Sequence, residues 1–183
     1  MDMFTQELQA LSGHVHRLTN TAGVVPTILG ILESHHTRQI LAWRDDDLGI
    51  PWLSEALTQA GVVVEDGRLG ATAMARKSRL AELDGVLVGL SGAQGGLADT
   101  GAIALSSGPG RGRLASLLPL VHIALLSAQK LYPSLPAFLA ANPEAITRGS
   151  NFVLIAGPSR TGDIEMTLSM GVHGPREVHV IIP

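Results

Sequence analysis

The sequence has no cysteine in its 183 residues. That excludes disulfides, zinc ribbons, thiolate catalysis and any cofactor bound through cysteine, iron–sulfur clusters included. Aromatic residues make up 3% of the chain, too few for a platform on which unpaired bases stack. Charge is sparse as well, at 16% against about 25% in an average soluble domain. There is no basic excess: 13 Lys and Arg stand against 16 Asp and Glu, a net charge of −3. Bulk attraction to nucleic acid is thereby excluded. No run approaches the ~18 apolar residues of a membrane-spanning helix. Asp2 and Glu7 stand where a signal peptide would carry basic charge. The expectation is a cytoplasmic protein with no nucleic-acid and no membrane partner. The low charge leaves buried contacts with partners, including a homo-oligomer, open.

What is present is apolar: 45% hydrophobic residues fill a core in a chain of about one domain's length. Leu8, Leu11, Val15 and Leu18 fall at helical spacing. The reading preferred here ends a helical arm, residues 1–12, near Gly13 and starts a short strand at His14. A helix over 24–34 follows, with Pro26 in its first turn. Strand-like residues 38–43 come next, then Asp45, Asp46 and Asp47 as a solvated loop. Pro51 opens a helix that Gly61 closes. Residues 62–64 read as a strand too apolar to be half-exposed, 72–83 as a helix and 86–90 as a strand.

This alternation predicts a single α/β domain, residues 1–183, with a mostly parallel sheet and helices on both faces. The second half adds a hairpin or bulged pair near 101–105 grafted onto that sheet. It continues with a helix at 114–118, a strand at 120–126, a helix at 135–140 and a strand at 151–156. A helix over 163–170 and a last strand over 177–182 end the chain. The near-continuous apolar character of 151–156 and 177–182 predicts central or near-central parallel strands.

Four runs offer chemistry. In residues 157–165 an apolar strand feeds a glycine turn that opens the predicted helix. Free backbone N–H groups, the helix dipole, Gly157, Ser159, Arg160 and Thr161 would suit a small organic anion or a phosphate. Ordinary helix capping reads the same residues equally well. In residues 95–101, Asp99 is an isolated carboxylate, either an acid/base group or a turn aspartate, with Thr100 and Gly101 beside it. In residues 106–119, Arg111 and Arg113 sit in a glycine-rich loop, as an anion clamp or a solvated turn. In residues 171–175, His173 beside Gly174 is an exposed acid/base candidate or a locally bonded turn residue. Asp99, Arg113 and the 159–161 loop are expected to converge on one cleft beyond the carboxyl ends of strands. The pairs His14/His16 and His35/His36 have no carboxylate at a ligand spacing, so no metal is expected.

With these runs on the page, the chain resembles the lactate utilization protein C family, the LUD domain. The resemblance rests on ADTGAIAL at 98–105, RLASLLPLVHIAL at 113–125, GPSRTGDIE at 157–165 and GVHGPREVHVII at 171–182. It implies a fold like the ribose-phosphate isomerase/CoA-transferase group. It also implies a part in oxidising L-lactate to pyruvate alongside iron–sulfur partner proteins. The chain departs from what the resemblance implies in its short length and at Asp99, where glutamate is expected in many relatives. The rival is a stand-alone enzyme acting on a phosphorylated or acyl small molecule, by analogy with CoA-transferase-like or formyltetrahydrofolate cyclo-ligase-like folds. A module that senses an organic acid is a third alternative.

Overall fold

The computed structural model describes residues 1–162, 168–170 and 174–183, with the backbone alone at 160–162 and 168–170. The first half runs α1 (Asp2–Ala10), β1 (His14–Arg17), α2 (Val24–Ser34), β2 (Gln39–Ala42) and α3 (Asp45–Leu48). It continues through α4 (Leu53–Gln59), β3 (Val63–Asp66), α5 (Ala73–Leu83) and β4 (Val88–Gly92). The second half begins with β5 (Gly95–Leu97), β6 (Ala102–Ser107), α6 (Leu114–Leu117) and β7 (Val121–Leu125). Then follow β8 (Leu131–Tyr132), α7 (Leu135–Ala141), β9 (Asn151–Ile155), β10 (Arg160–Gly162), β11 (Leu168–Met170) and β12 (Glu177–Ile182).

Six strands form one wholly parallel sheet in the order β1-β12-β7-β4-β2-β3. Side chains alternate between its faces, so the register assigns each residue to one of them. Arg17 bonds Asp2 and Thr5, which places α1 on its face. Gly89 lies on that face too, where a Cβ would come within 1.8 Å of the Ala115 carbonyl oxygen. Only glycine lets α6 approach β4 that closely. On the other face His35, at the end of α2, reaches Glu177. The expected helices on both faces are present.

Local chemistry explains the element ends. Thr72 accepts a hydrogen bond from the Ala75 N–H at the start of α5, and Gly61 after α4 takes a φ of +81°. Phe4 and Leu8 of α1 are fully buried on one face, and Ile28 and Leu32 of α2 with Leu90 and Ile123 on the other, all within one core. The six central residues of β4 and β7, Val88, Leu90, Val121, Ile123, Ala124 and Leu125, are all buried, as strands covered on both faces require.

Several expectations are corrected. The hairpin near 101–105 does not extend the parallel sheet; β5 and β6 belong to a second sheet, ordered β8-β5-β6-β9. Residues 151–156 are not a central parallel strand. β9 is the edge of that second sheet, antiparallel to β6, with Leu154 38% exposed. Its apolar residues pack on both sides: Phe152 stacks on Phe138 of α7, and Val153 and Ile155 pack against the main core. β12, by contrast, lies between β1 and β7 as expected. β3 is an edge strand with Val63 55% exposed, so its apolar run does not mean burial on both faces. Asp45, Asp46 and Asp47 form α3 instead of a solvated loop. Asp45 accepts from the Ser54 N–H, and Asp47 pairs with Arg111 at 3.1 Å. In the 163–170 helix prediction, Leu168–Met170 is a strand pairing antiparallel with Arg160–Gly162. The remainder of that predicted helix lies outside the described residues.

Candidate functional site

The chain order sets where a ligand would enter. After β2 the chain moves outward to β3, and after β4 it moves the opposite way to β7. Adjacent strands whose connections diverge leave a crevice beyond their carboxyl ends. Here that crevice lies between Trp43–Arg44 after β2 and Ala93–Gln94 after β4. The glycine-rich segment 108–112 is laid across it. The Arg44 N–H donates to the Gly110 carbonyl at 3.1 Å, and the Trp43 indole N–H donates to the Gly112 carbonyl at 2.9 Å.

Among the clefts around this point, three carry candidate groups. One, about 380 Å³, is lined by Arg44, Asp66, Gly67, Arg68 and residues 108–110 and 112. Arg68 is held by Asp66 at 2.6 Å, and that guanidinium lowers the Asp66 carboxyl below its ordinary range. Arg44 has no ion pair among the described residues. A second cleft, about 360 Å³, lies over the ends of β4, β7 and β12 and includes Asp47, Gly92, Ser127 and Lys130. The third, also about 360 Å³, shares Lys130 and runs toward the second sheet. Tyr132 and Phe138, edge to face at 5.2 Å, give it an aromatic wall. Gln94, Asn142, Glu144 and Arg148 supply its polar groups.

Gln94 is the informative residue. Its N–H is tied to the Ala104 carbonyl, which fixes the backbone, while its side-chain Oε1 is buried with no hydrogen-bond partner among the described residues. A buried carbonyl oxygen without a donor costs about 1–3 kcal/mol. The Gln94 side chain lines the cleft, and a turn of its amide into the cleft would let a ligand hydroxyl or N–H remove that cost. Lys130 and Arg148, neither in an ion pair among the described residues, bring positive charge to the same walls. The site thus offers an acceptor and two cations, a set suited to a small molecule carrying both a hydroxyl and a carboxylate.

The residues singled out in the sequence are divided between places. Asp99 and Thr100 are exposed in the β5–β6 turn, where the Asp99 N–H donates to the Pro133 carbonyl. Gly101 takes a φ of +63° and presses on α1, where a Cβ would come within 2.3 Å of the Leu8 nitrogen. Gly157 lies against the Leu11 backbone, just past the end of the same helix. The Ser159 N–H donates to the Pro175 carbonyl beside Gly174. These contacts put the 157–159 and 174–175 runs near the amino ends of β1 and β12. Arg113 is exposed at the start of α6, next to Gly112, whose missing Cβ faces Gly67 beyond the carboxyl end of β3. The expected convergence of Arg113 with the 159–161 loop is therefore not met: they lie at opposite ends of the sheet. That loop leads into a strand at Arg160–Gly162, and residues 163–167, where the predicted helix begins, lie outside the described residues. The side chains of Arg160 and Thr161, and His173 altogether, lie outside the described residues. Arg111 is no anion clamp, since its guanidinium donates to Asp47 and to the Ser106 carbonyl.

Two histidine groups escape any reading of local spacing. His122, fully buried, lies with its Nε2 2.8 Å from the Ser91 hydroxyl oxygen, and burial pushes its pKa down to about 4. On the opposite face, the β1–β12 register sets His14 beside His179, with His16 and Glu177 one alternation away. His16 Nε2 lies 3.0 Å from His179 Nδ1, and His35 Nε2 lies 3.0 Å from Glu177 Oε2. Burial, then the charges of His14 and His16, push the His179 pKa down to about 4. Burial also lowers that of His16. The residues come from both ends of the chain, so only the sheet order unites them.

A doubly covered parallel α/β domain, with its clefts at the carboxyl ends of the strands, is the class that this architecture defines. The chain belongs to the LUD domain family, whose model matches residues 1–182. It is similar to Lactate utilization protein C of Halalkalibacterium halodurans, 33% identical over 159 residues, covering 83% of this chain and 66% of that protein. Lactate utilization protein C of Macrococcus caseolyticus is 29% identical over 171 residues, 90% of this chain and 69% of that one. An uncharacterized protein of Neisseria meningitidis is 40% identical over 95 residues, 51% of this chain and 40% of that one. The chain thus spans two thirds or less of the length of several curated relatives. The crystal structure of a DUF162 family protein from Deinococcus radiodurans matches with a TM-score of 0.69 at 22% identity, covering 99% of this chain and 94% of that one. That match concerns the fold alone. No helix among the described residues is long and apolar enough to cross a membrane.

Proposed function

We propose that this chain works in a lactate-utilization system and holds L-lactate, or a close 2-hydroxy acid, in the cleft between Gln94 and Lys130. The names of the relatives support the system. The observation that carries the ligand is the buried Gln94 Oε1, without a partner among the described residues, in a cleft with two cations that form no ion pair among them. In this reading the lactate carboxylate accepts from Lys130 or Arg148, and the 2-hydroxyl donates to Gln94 Oε1. Oxidation to pyruvate removes two electrons and two protons. A chain without cysteine has no thiolates to ligate an iron–sulfur cluster, so the electrons would pass to iron–sulfur partner proteins.

A second reading has its own observation. The cleft under the 108–112 glycines, with Arg44 in no ion pair among the described residues, suits a phosphorylated or acyl substrate of a stand-alone enzyme. A growth test separates the two. A strain deleted for this chain should fail on L-lactate as sole carbon source, and the parent chain should restore growth. Gln94→Leu should restore it poorly, and Arg44→Ala should restore it fully. Normal growth of the deleted strain contradicts the lactate reading, and failure of Arg44→Ala alone favours the second.

A further inference from the structure

We infer that His14, Glu177 and His179 form a binding site for one divalent transition-metal ion, at the amino end of the β1–β12 pair and separate from the Gln94 cleft. The donor atoms of these three side chains lie within 4.8 Å of one another. They share a face because β1 and β12 run parallel with His14 paired to His179, and Glu177 stands two residues before His179.

The geometry is close to what an ion needs. Ligand atoms about 2.0–2.2 Å from a tetrahedral ion are roughly 3.3–3.6 Å apart. The His179 Nε2 to Glu177 Oε2 distance is already 3.5 Å. His14 is exposed on the edge strand, its ring stacked on His179 at 4.6 Å, and a side-chain rotation would bring its nitrogen into place.

The surroundings match those of ligating residues. A metal-bound histidine characteristically uses its other ring nitrogen to hold a neighbour, which fixes tautomer and orientation. His179 does so through Nδ1, 3.0 Å from His16 Nε2, which leaves Nε2 toward Glu177. Glu177 is in turn oriented by His35 at 3.0 Å. Two imidazoles and one carboxylate, with no thiolate, suit Zn²⁺, Co²⁺ or Ni²⁺ over Mg²⁺ or a soft ion. An ion here would join the edge strand β1 to β12, and the remaining coordination positions would be open to water.

The test uses the untagged chain, stripped with a chelator and titrated with Co²⁺, followed by visible absorption and calorimetry, then with Zn²⁺ as competitor. The expected result is one ion per chain, displaced by Zn²⁺. His14→Ala and Glu177→Gln should each weaken binding at least tenfold, His16→Gln about tenfold through positioning, and His36→Ala not at all. His14→Ala alters an exposed residue, so it keeps the test valid should Glu177→Gln fail to fold, which circular dichroism reports. Absence of stoichiometric binding to the parent chain overturns the inference. So does unchanged binding in His14→Ala.

Discussion

At the scale of single residues, His122 carries a consequence for stability. Its folded pKa is about 4 against an ordinary 6.5, because burial penalises the imidazolium. Between those values the unfolded chain binds the proton and the folded chain does not. Stability from this group is therefore complete above pH 6.5 and falls as the pH drops toward 4. The difference amounts to roughly 3 kcal/mol over the whole window. His179, on the other face, titrates in the same window and contributes in the same direction. Replacing the Ser91–His122 pair by Ala and Phe should remove only the His122 part. Denaturant unfolding at pH 7 and pH 5 should show the double variant losing about 2 kcal/mol less than the parent chain. Equal losses in both would mean that His122 is solvated or already protonated in the fold.

At the scale of elements, Gly101 tests how α1 is held. A Cβ there meets the Leu8 backbone at 2.3 Å, and the φ of +63° resists any larger residue. Gly101→Ala should destabilise the chain by at least about 2 kcal/mol, since both strain and overpacking act. Thermal unfolding measures this, and an unchanged midpoint would show that α1 is not pinned by the β5–β6 turn. The same elements show what the sequence made legible. Helix α2 was readable to the residue because its periodicity, Pro26 and polar exit all agree. Strand β12 is readable as buried from its near-continuous apolar character, interrupted only by Glu177 and His179. Strand β9 has a similar run and was misplaced, because apolar content does not reveal which sheet a strand joins. Residues 160–162 looked like a helix approach because Gly157, Pro158 and two acids downstream match capping chemistry. A short antiparallel pairing with Leu168–Met170, set by contacts outside that window, took precedence.

At the scale of the whole molecule, the parallel sheet sorts the candidate groups to its two ends. The amino end gathers the 157–159 and 174–175 runs and the histidine–glutamate group, and the carboxyl end holds the three clefts. Asp99 and Arg113 were visible as unusual residues in the sequence. Gln94 was not, since a lone glutamine beside two glycines gives no sign that its carbonyl will be buried without a donor. That condition arises only when β4, β5 and α7 close around it. The central claim concerns this oxygen, and a calorimetric comparison of L-lactate with pyruvate tests it most directly. Pyruvate has the carboxylate but no hydroxyl, so it leaves Gln94 Oε1 unpaired. The parent chain should bind L-lactate about tenfold more tightly than pyruvate, the worth of one buried hydrogen bond. In Gln94→Leu that preference should vanish. Equal affinity for both acids in the parent chain, or a preference that survives in Gln94→Leu, would contradict the account.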